Sequence, residues 1–218
     1  MNDIHLPGCG GMYPYVYGLC GALQNNTDVR KFKFSTISGS TPGVSTILFN
    51  APAKGSLASF ETKKQKLLEK SGFMIYFNGE FIRMAKEHNI RLAEKYATEE
   101  DKVHAMENHK IMVVCANSFR REEKTNFKNF EEYVELCSAS CSFVVLPENG
   151  PFIDGCMICA SPSISYFGKR LPIPLRYMCW FKKFYYIIMG LLTTQVWRTL
   201  YDQGYKDAEE ILIPKLSE

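Results

Sequence analysis

The chain has 218 residues, 46% of them apolar and 22% charged, with a formal net charge of +3. That composition is ordinary for a folded soluble protein, and so small a charge does not by itself indicate a nucleic-acid partner. The length suits one sizeable core or two small domains.

The first residues, MNDIHLPGCGG, have neither the basic start nor the apolar centre of a secretory signal. The expectation is therefore a cytoplasmic protein with reduced thiols. Residues 3–6 predict a short strand that ends at the glycine-rich PGCGG. A buried helix follows over 15–23, with Pro14 tolerated in its first turn. Residues 32–37 predict the next strand, and 43–49 a helix. The segments 60–70 and 80–96 have the Lys- and Glu-rich amphipathic pattern of surface helices, while 111–116 is an apolar run suited to a buried strand. Over 129–138, Phe130, Tyr133, Val134 and Cys137 share one helical face. Strand character returns at 143–146 and 152–153. This alternation predicts an α/β layered fold, with a central, mostly parallel sheet flanked by helices in one domain over 1–218. The apolar stretch FYYIIMGLLTTQVW, at 14 residues, is shorter than the roughly 20 a membrane-spanning helix needs.

Four of the eight cysteines, Cys137, Cys141, Cys156 and Cys159, have the spacing C-x3-C-x14-C-x2-C. A zinc module is one reading of that spacing, and buried free thiols are the other, since Phe143, Val144, Val145 and Leu146 between the pairs read as core. From 155 to 201 the chain contains no Asp or Glu, but carries Lys169, Arg170, Arg176, Lys182, Lys183 and Arg198 among many aromatic residues. Such a basic aromatic tract, centred on 163–200, suits the headgroup level of an anionic membrane. Aromatic core packing with a solvated basic edge is the alternative.

Three segments carry possible chemistry. In SGSTPG, between a strand and a helix, Ser40 stands at the tip of a small-residue turn, as in a nucleophile elbow, with Ser38 and Pro42 at the flanking positions. Gly8, Cys9, Gly10 and Gly11 lie at an earlier strand-to-helix junction, where backbone N–H groups can face a developing oxyanion. The histidines, His5, His88, His104 and His109, all lie too early to complete a hydrolase triad that ends in a late histidine. Asp154 is the acidic residue between Glu148 and Asp202, in an apolar setting that raises proton affinity toward that of a useful base.

Taken in order, the GCGGMYPYVYGLCGAL loop and helix, the SGSTPGVSTIL elbow, CSASCSFVVLPENGPFIDGCMICASP and the late YDQGYKDAEEIL resemble the patatin-like phospholipases. The branch containing adipose triglyceride lipase and adiponutrin is the most similar. The resemblance implies a Ser-Asp dyad without histidine, with Ser40 as nucleophile, Asp154 as base and the amides of residues 8–11 as the oxyanion hole. It implies no metal and no cofactor. The substrates would be acyl esters of phospholipids or neutral glycerolipids, met at a membrane or lipid-droplet surface. Glycine is usual in the family where this chain has Tyr13, Ser38, Pro42 and Cys156, and Ala160-Ser161-Pro162 replaces its N-x-P element. An inactive lipid-binding relative is therefore the alternative.

Overall fold

The computed structural model describes residues 2–118, 120–142, 145, 151–154, 165–166, 169–170 and 180–216. Three strands form the centre of its sheet: β1 (Asn2–Leu6), β2 (Phe32–Ile37) and β3 (His109–Cys115). They run parallel, with Ile4 opposite Phe34 and Thr36 opposite Ile111. Parallel neighbours need crossover connections, and α1 (Tyr13–Asn26) supplies the first. Four helices lie in the second crossover: α2 (Thr41–Leu48), α3 (Ala53–Ser71), α4 (Glu80–Tyr96) and α5 (Glu99–Asn108).

The outer strands are antiparallel. β4 (Arg120–Lys124) and β5 (Phe152–Asp154) pair with β3, while β6 (Ser165–Tyr166) pairs with β1 and β7 (Lys169–Arg170) with β6. The result is a mixed α/β fold, an open sheet with a parallel centre flanked by helices. Besides α1 to α5 these are α6 (Phe130–Ala139), α7 (Trp180–Leu192), α8 (Trp197–Asp207) and the short α9 (Ile213–Leu216).

Several elements follow directly from local chemistry. β2 has the alternation of a half-buried strand until its last two residues, both buried. α6 starts where Asn129 Oδ1 accepts the Glu132 N–H at 2.9 Å. The first three turns of α1, from Tyr13 to Leu23, are buried all round, as an apolar helix between other layers must be. Several expected elements are longer than the pattern suggested: α1 runs from Tyr13 to Asn26, α3 begins at Ala53 and β3 at His109. Others were not expected, β4 and α5 among them. β4 is a charged edge strand, RREEK, whose half-exposed setting needs no apolar alternation. α5 is a polar helix set by a capping box, in which Thr98 Oγ1 accepts the Asp101 N–H and Asp101 Oδ2 accepts the Thr98 N–H. Of the strand expected over 143–146, Phe143, Val144 and Leu146 lie outside the described residues.

The helical layer is drawn together by glycines. A Cβ on Gly18 of α1 would sit 2.1 Å from the Tyr201 carbonyl oxygen, and one on Gly204 of α8 would sit 2.0 Å from that of Tyr15. The two backbones therefore touch, and Tyr15 donates its hydroxyl to Asp207 Oδ2 at 2.7 Å across the same seam. Among the described residues no helix is long and apolar enough to cross a membrane.

Gly18→Ala and Gly204→Ala should each destabilise the protein by about 1–3 kcal/mol or more, since neither backbone can yield locally. Gly55, exposed in α3 with its nearest contact 3.7 Å from a built Cβ, should gain about 0.5–1 kcal/mol on substitution by Ala. Urea unfolding of the three variants checks both signs.

Candidate active site

The site arises where β2 leaves the sheet. Its last ladder partner is Met112, opposite Ile37. β3 continues beyond that point, and Val113, Val114 and Cys115 take Asp154, Ile153 and Phe152 of β5 as their partners. Asp154 thus enters the sheet one residue past the point where β2 turns away. Ser38 is the residue that makes the turn, with φ at +58°, a left-handed conformation that a non-glycine residue adopts only when its surroundings impose it. Its Oγ donates to Asp154 Oδ2 at 2.6 Å, and both residues are buried.

The end of α6 holds this turn in place. Ser140 Oγ accepts the Ser38 N–H at 2.9 Å and donates to the Met112 carbonyl at 2.7 Å. The Cys141 thiol donates to the Ser38 carbonyl, and the Ser142 carbonyl accepts the Asp154 N–H at 2.8 Å. Three consecutive residues therefore position both members of the pair. Neither Ser140 nor Ser142 was singled out in the sequence, although the small-residue run CSASCS was.

Ser40, expected at the tip of the elbow, is instead behind it. Its hydroxyl is fully buried, lies 2.8 Å from the Ile37 carbonyl and 3.0 Å from that of Leu6, and accepts the Ile37 N–H at 3.1 Å. It ties the elbow to the end of β1 while Asp154 pairs with Ser38. The elbow motif accordingly reads Thr36-Ile37-Ser38-Gly39-Ser40. The available signal was the strand end, read correctly at residue 37, because the tip of a strand-to-helix elbow directly follows its strand.

Gly39 allows the elbow to meet the first glycine loop. A Cβ there would lie 2.9 Å from the Gly10 carbonyl oxygen and 3.0 Å from the Cys9 sulfur. Gly10 itself has φ at +50°, where glycine carries no steric cost. It lines a pocket together with Ser38, Gly39 and Asp154. Of the expected oxyanion residues, Gly8, Cys9 and Gly11 are not among the described lining residues of this pocket. Gly11 lies under α7, where a Cβ would sit 2.0 Å from the Ile187 carbonyl oxygen.

The remaining walls are apolar and aromatic, including Tyr13, Tyr17, Phe60, Phe81 and Leu191, with Pro42 at the elbow. Tyr13 stands edge-on to Phe60 at 5.7 Å between ring centres. Its hydroxyl meets Glu61 and accepts from Lys64 Nζ at 2.7 Å. Lys64 also pairs with Glu61 Oε2 at 2.9 Å and donates to the Gly190 carbonyl at 2.8 Å. Burial pushes the Glu61 carboxyl up and the Lys64 ammonium down, each opposed by the other's charge. This buried pair stands directly behind the pocket wall, although the sequence pattern of α3 reads as a solvated face.

Beneath the elbow, Thr36 Oγ1 is 2.7 Å from His109 Nε2, and His109 Nδ1 is 2.7 Å from the Tyr133 hydroxyl. Burial pushes the His109 pKa down to about 3, so the ring is neutral. His88 is lowered to about 4, by burial first and then by the nearby Lys63. Of the spaced cysteines, Cys156 and Cys159 lie outside the described residues, while Cys137 and Cys141 are buried. Among the described residues no group of three metal-ligating side chains converges.

Compared with models of known protein families, with curated proteins and with solved structures, the chain matches none. The geometry therefore carries the functional argument.

Lys64→Met should cost about 3–5 kcal/mol, because it strands the Glu61 carboxylate in the interior, while adding Glu61→Gln should recover part of that loss. Chemical denaturation of the single and double variants measures the coupling. His88 and His109 bind protons less readily folded than unfolded, where the ordinary value is about 6.5. Stability is therefore full above about pH 6.5 and falls as pH drops toward their folded values, by about 2 kcal/mol for each ring at roughly pH 5. His109→Gln should flatten the acid limb of a stability–pH curve.

Proposed function

We propose that the protein is a serine acyl hydrolase of the patatin-like kind, acting on lipid esters through a Ser38–Asp154 dyad. The 2.6 Å hydrogen bond between an elbow serine held at positive φ and a buried carboxylate carries this reading. A serine hydroxyl becomes a useful nucleophile when a base takes its proton and donors meet the oxyanion. The apolar walls favour a substrate whose acyl part is hydrocarbon.

In the first step Ser38 Oγ attacks the ester carbonyl carbon as its proton passes to Asp154. The carbonyl π pair moves to oxygen, which the backbone amides around Gly10 and Gly39 would receive. A good donor of this kind contributes about 3–4 kcal/mol in serine hydrolases. Collapse of the tetrahedral species breaks the carbon–oxygen bond, and Asp154 returns the proton to the departing alcohol. Water, losing a proton to Asp154, then cleaves the acyl-serine and regenerates Ser38 Oγ–H. Pro42, which has no N–H, lies four residues beyond Ser38 and outside this donor set. Ser140, Cys141 and Ser40 hold the elbow and are positioning residues.

Labelling with a fluorophosphonate tests the assignment. Wild type should label at Ser38. Ser38→Ala should abolish labelling with the fold intact. Ser40→Ala should keep it, while losing about 1–3 kcal/mol of stability through the partners it leaves unpaired. Asp154→Asn should fold but cleave short-chain esters at least a hundredfold more slowly, the low end of general-base contributions. A folded wild type that does not label, or a label found on Ser40, would overturn the dyad; the former would favour an inactive lipid-binding protein.

A further inference from the structure

Helix α7 has two apolar faces, one packed against the protein and the other largely exposed. On the inner face Ile187, Gly190 and Leu191 pack on the glycine loop and the pocket: a Cβ on Gly190 would sit 1.9 Å from the Gly11 carbonyl oxygen, and Leu191 lines the pocket wall. On the outer face Phe181, Phe184, Tyr185 and Leu192 are 77%, 51%, 53% and 44% exposed. Their positions, i, i+3, i+4 and i+11, form one stripe along the helix, and half-buried Ile188 at i+7 fills it.

A second apolar group stands at the C-terminal end of α7. The turn after α3 presents Phe73, Met74 and Phe77, and Tyr76 ties it to the helix by donating to the Leu191 carbonyl at 2.7 Å. Seven of the nine large exposed apolar residues among those described belong to these two elements. Scattered exposed apolar residues need no account, but a cluster of this size marks a contact surface.

Charge decides what the contact is with. No acidic residue occurs from 155 to 201, and Lys182 is exposed beside Phe181. Glu69, Lys70 and Glu80 flank the 73–77 turn, whereas the sequence of α7 carries Lys182 and Lys183 and no acidic residue, so the positive excess belongs to α7. The 13-residue helix is about 20 Å long, too short to span a bilayer but suited to lying in its interface. On α7 itself, aromatic rings with lysine beside them and no carboxylate are complementary to an anionic lipid surface.

We propose that the outer stripe of α7 and the Phe73–Phe77 turn together form the surface by which the protein sits on an anionic lipid bilayer. Binding there places the bilayer against the helix whose inner side walls the Ser38 pocket. This supplies the partner of the site described above, and rests on the hydrolase reading for its use but not for the binding itself.

Flotation of the full chain with phosphatidylcholine vesicles, with and without phosphatidylserine, tests it. Wild type should float with the phosphatidylserine vesicles and weakly with the others. Phe181→Ser with Phe184→Ser should lower the bound fraction about tenfold or more, since both rings are largely solvent-facing and the fold should persist by circular dichroism. Lys182→Glu should lower binding about fivefold or more on anionic vesicles alone. Met74→Ser, on the other element, should also weaken binding. Ser38→Ala should float like wild type while losing the fluorophosphonate label, so a failed dyad and a failed docking surface give different results. Unchanged flotation of the double phenylalanine variant, or indifference of wild type to lipid charge, would overturn the proposal. So would a wild-type dimer that the double variant dissolves, because the face would then belong to a second copy of the chain.

Discussion

The site depends on a backbone constraint at the middle of the sheet. A strand cannot leave a parallel ladder without exposing the N–H and C=O groups of its neighbour, and buried groups of that kind must find other partners. When β2 turns out at Ser38, the backbone of β3 from Val113 to Cys115 loses its neighbour, and β5 fills the vacancy. The carboxylate of Asp154 reaches Ser38 because the same three-residue strand satisfies that backbone. Residues 116 positions apart in the chain are thereby joined as a consequence of completing the sheet. The left-handed turn at Ser38 costs on the order of 1–2 kcal/mol. Its N–H, its carbonyl and its side chain each have a hydrogen-bond partner, which offsets that strain.

This arrangement also explains why small polar residues crowd the segment around Ser38 and the end of α6. Ser40, Thr41 and Ser140 are all buried and all hydrogen-bonded, and larger side chains at these places would push the elbow away from β3. Thr36 extends the network through His109 to Tyr133, which joins the strand before the elbow to the helix that supports it. Because the His109 ring is kept neutral by burial, the network adds no charge beneath the carboxylate of Asp154.

The elements that could be read from sequence are those whose burial repeats locally. The alternation in Phe32–Ile37, the apolar run in β3 and the amphipathic faces of α4 and α6 each record a neighbour along the whole element. β4 records none, since both its sides are partly wet, and α5 is held by its cap more than by an apolar stripe. The meeting of the elbow with Asp154 was legible to within a turn. Asp154 and the glycine loop were located by their settings. Choosing between Ser38 and Ser40 required knowing where β2 ends, and small residues surround both. Glu61 and Lys64 could not be recognised as interior residues at all. They sit in a helix rich in exposed charge and are covered by α7, a part of the chain more than a hundred residues away.

That cover has a polar consequence of its own. The last carbonyls of a helix have no partners within it, and α7 ends against the protein interior. Lys64 donates to the Gly190 carbonyl and Tyr76 to that of Leu191, so the helix end is satisfied by side chains from the layer beneath. An ammonium group buried for this purpose needs a counter-charge, and Glu61 supplies it one helical turn away. Tyr13 then joins the same cluster, with its ring on the pocket wall and its hydroxyl on the ion pair. The pocket wall, the buried charges and the end of α7 are therefore joined by one continuous set of polar contacts.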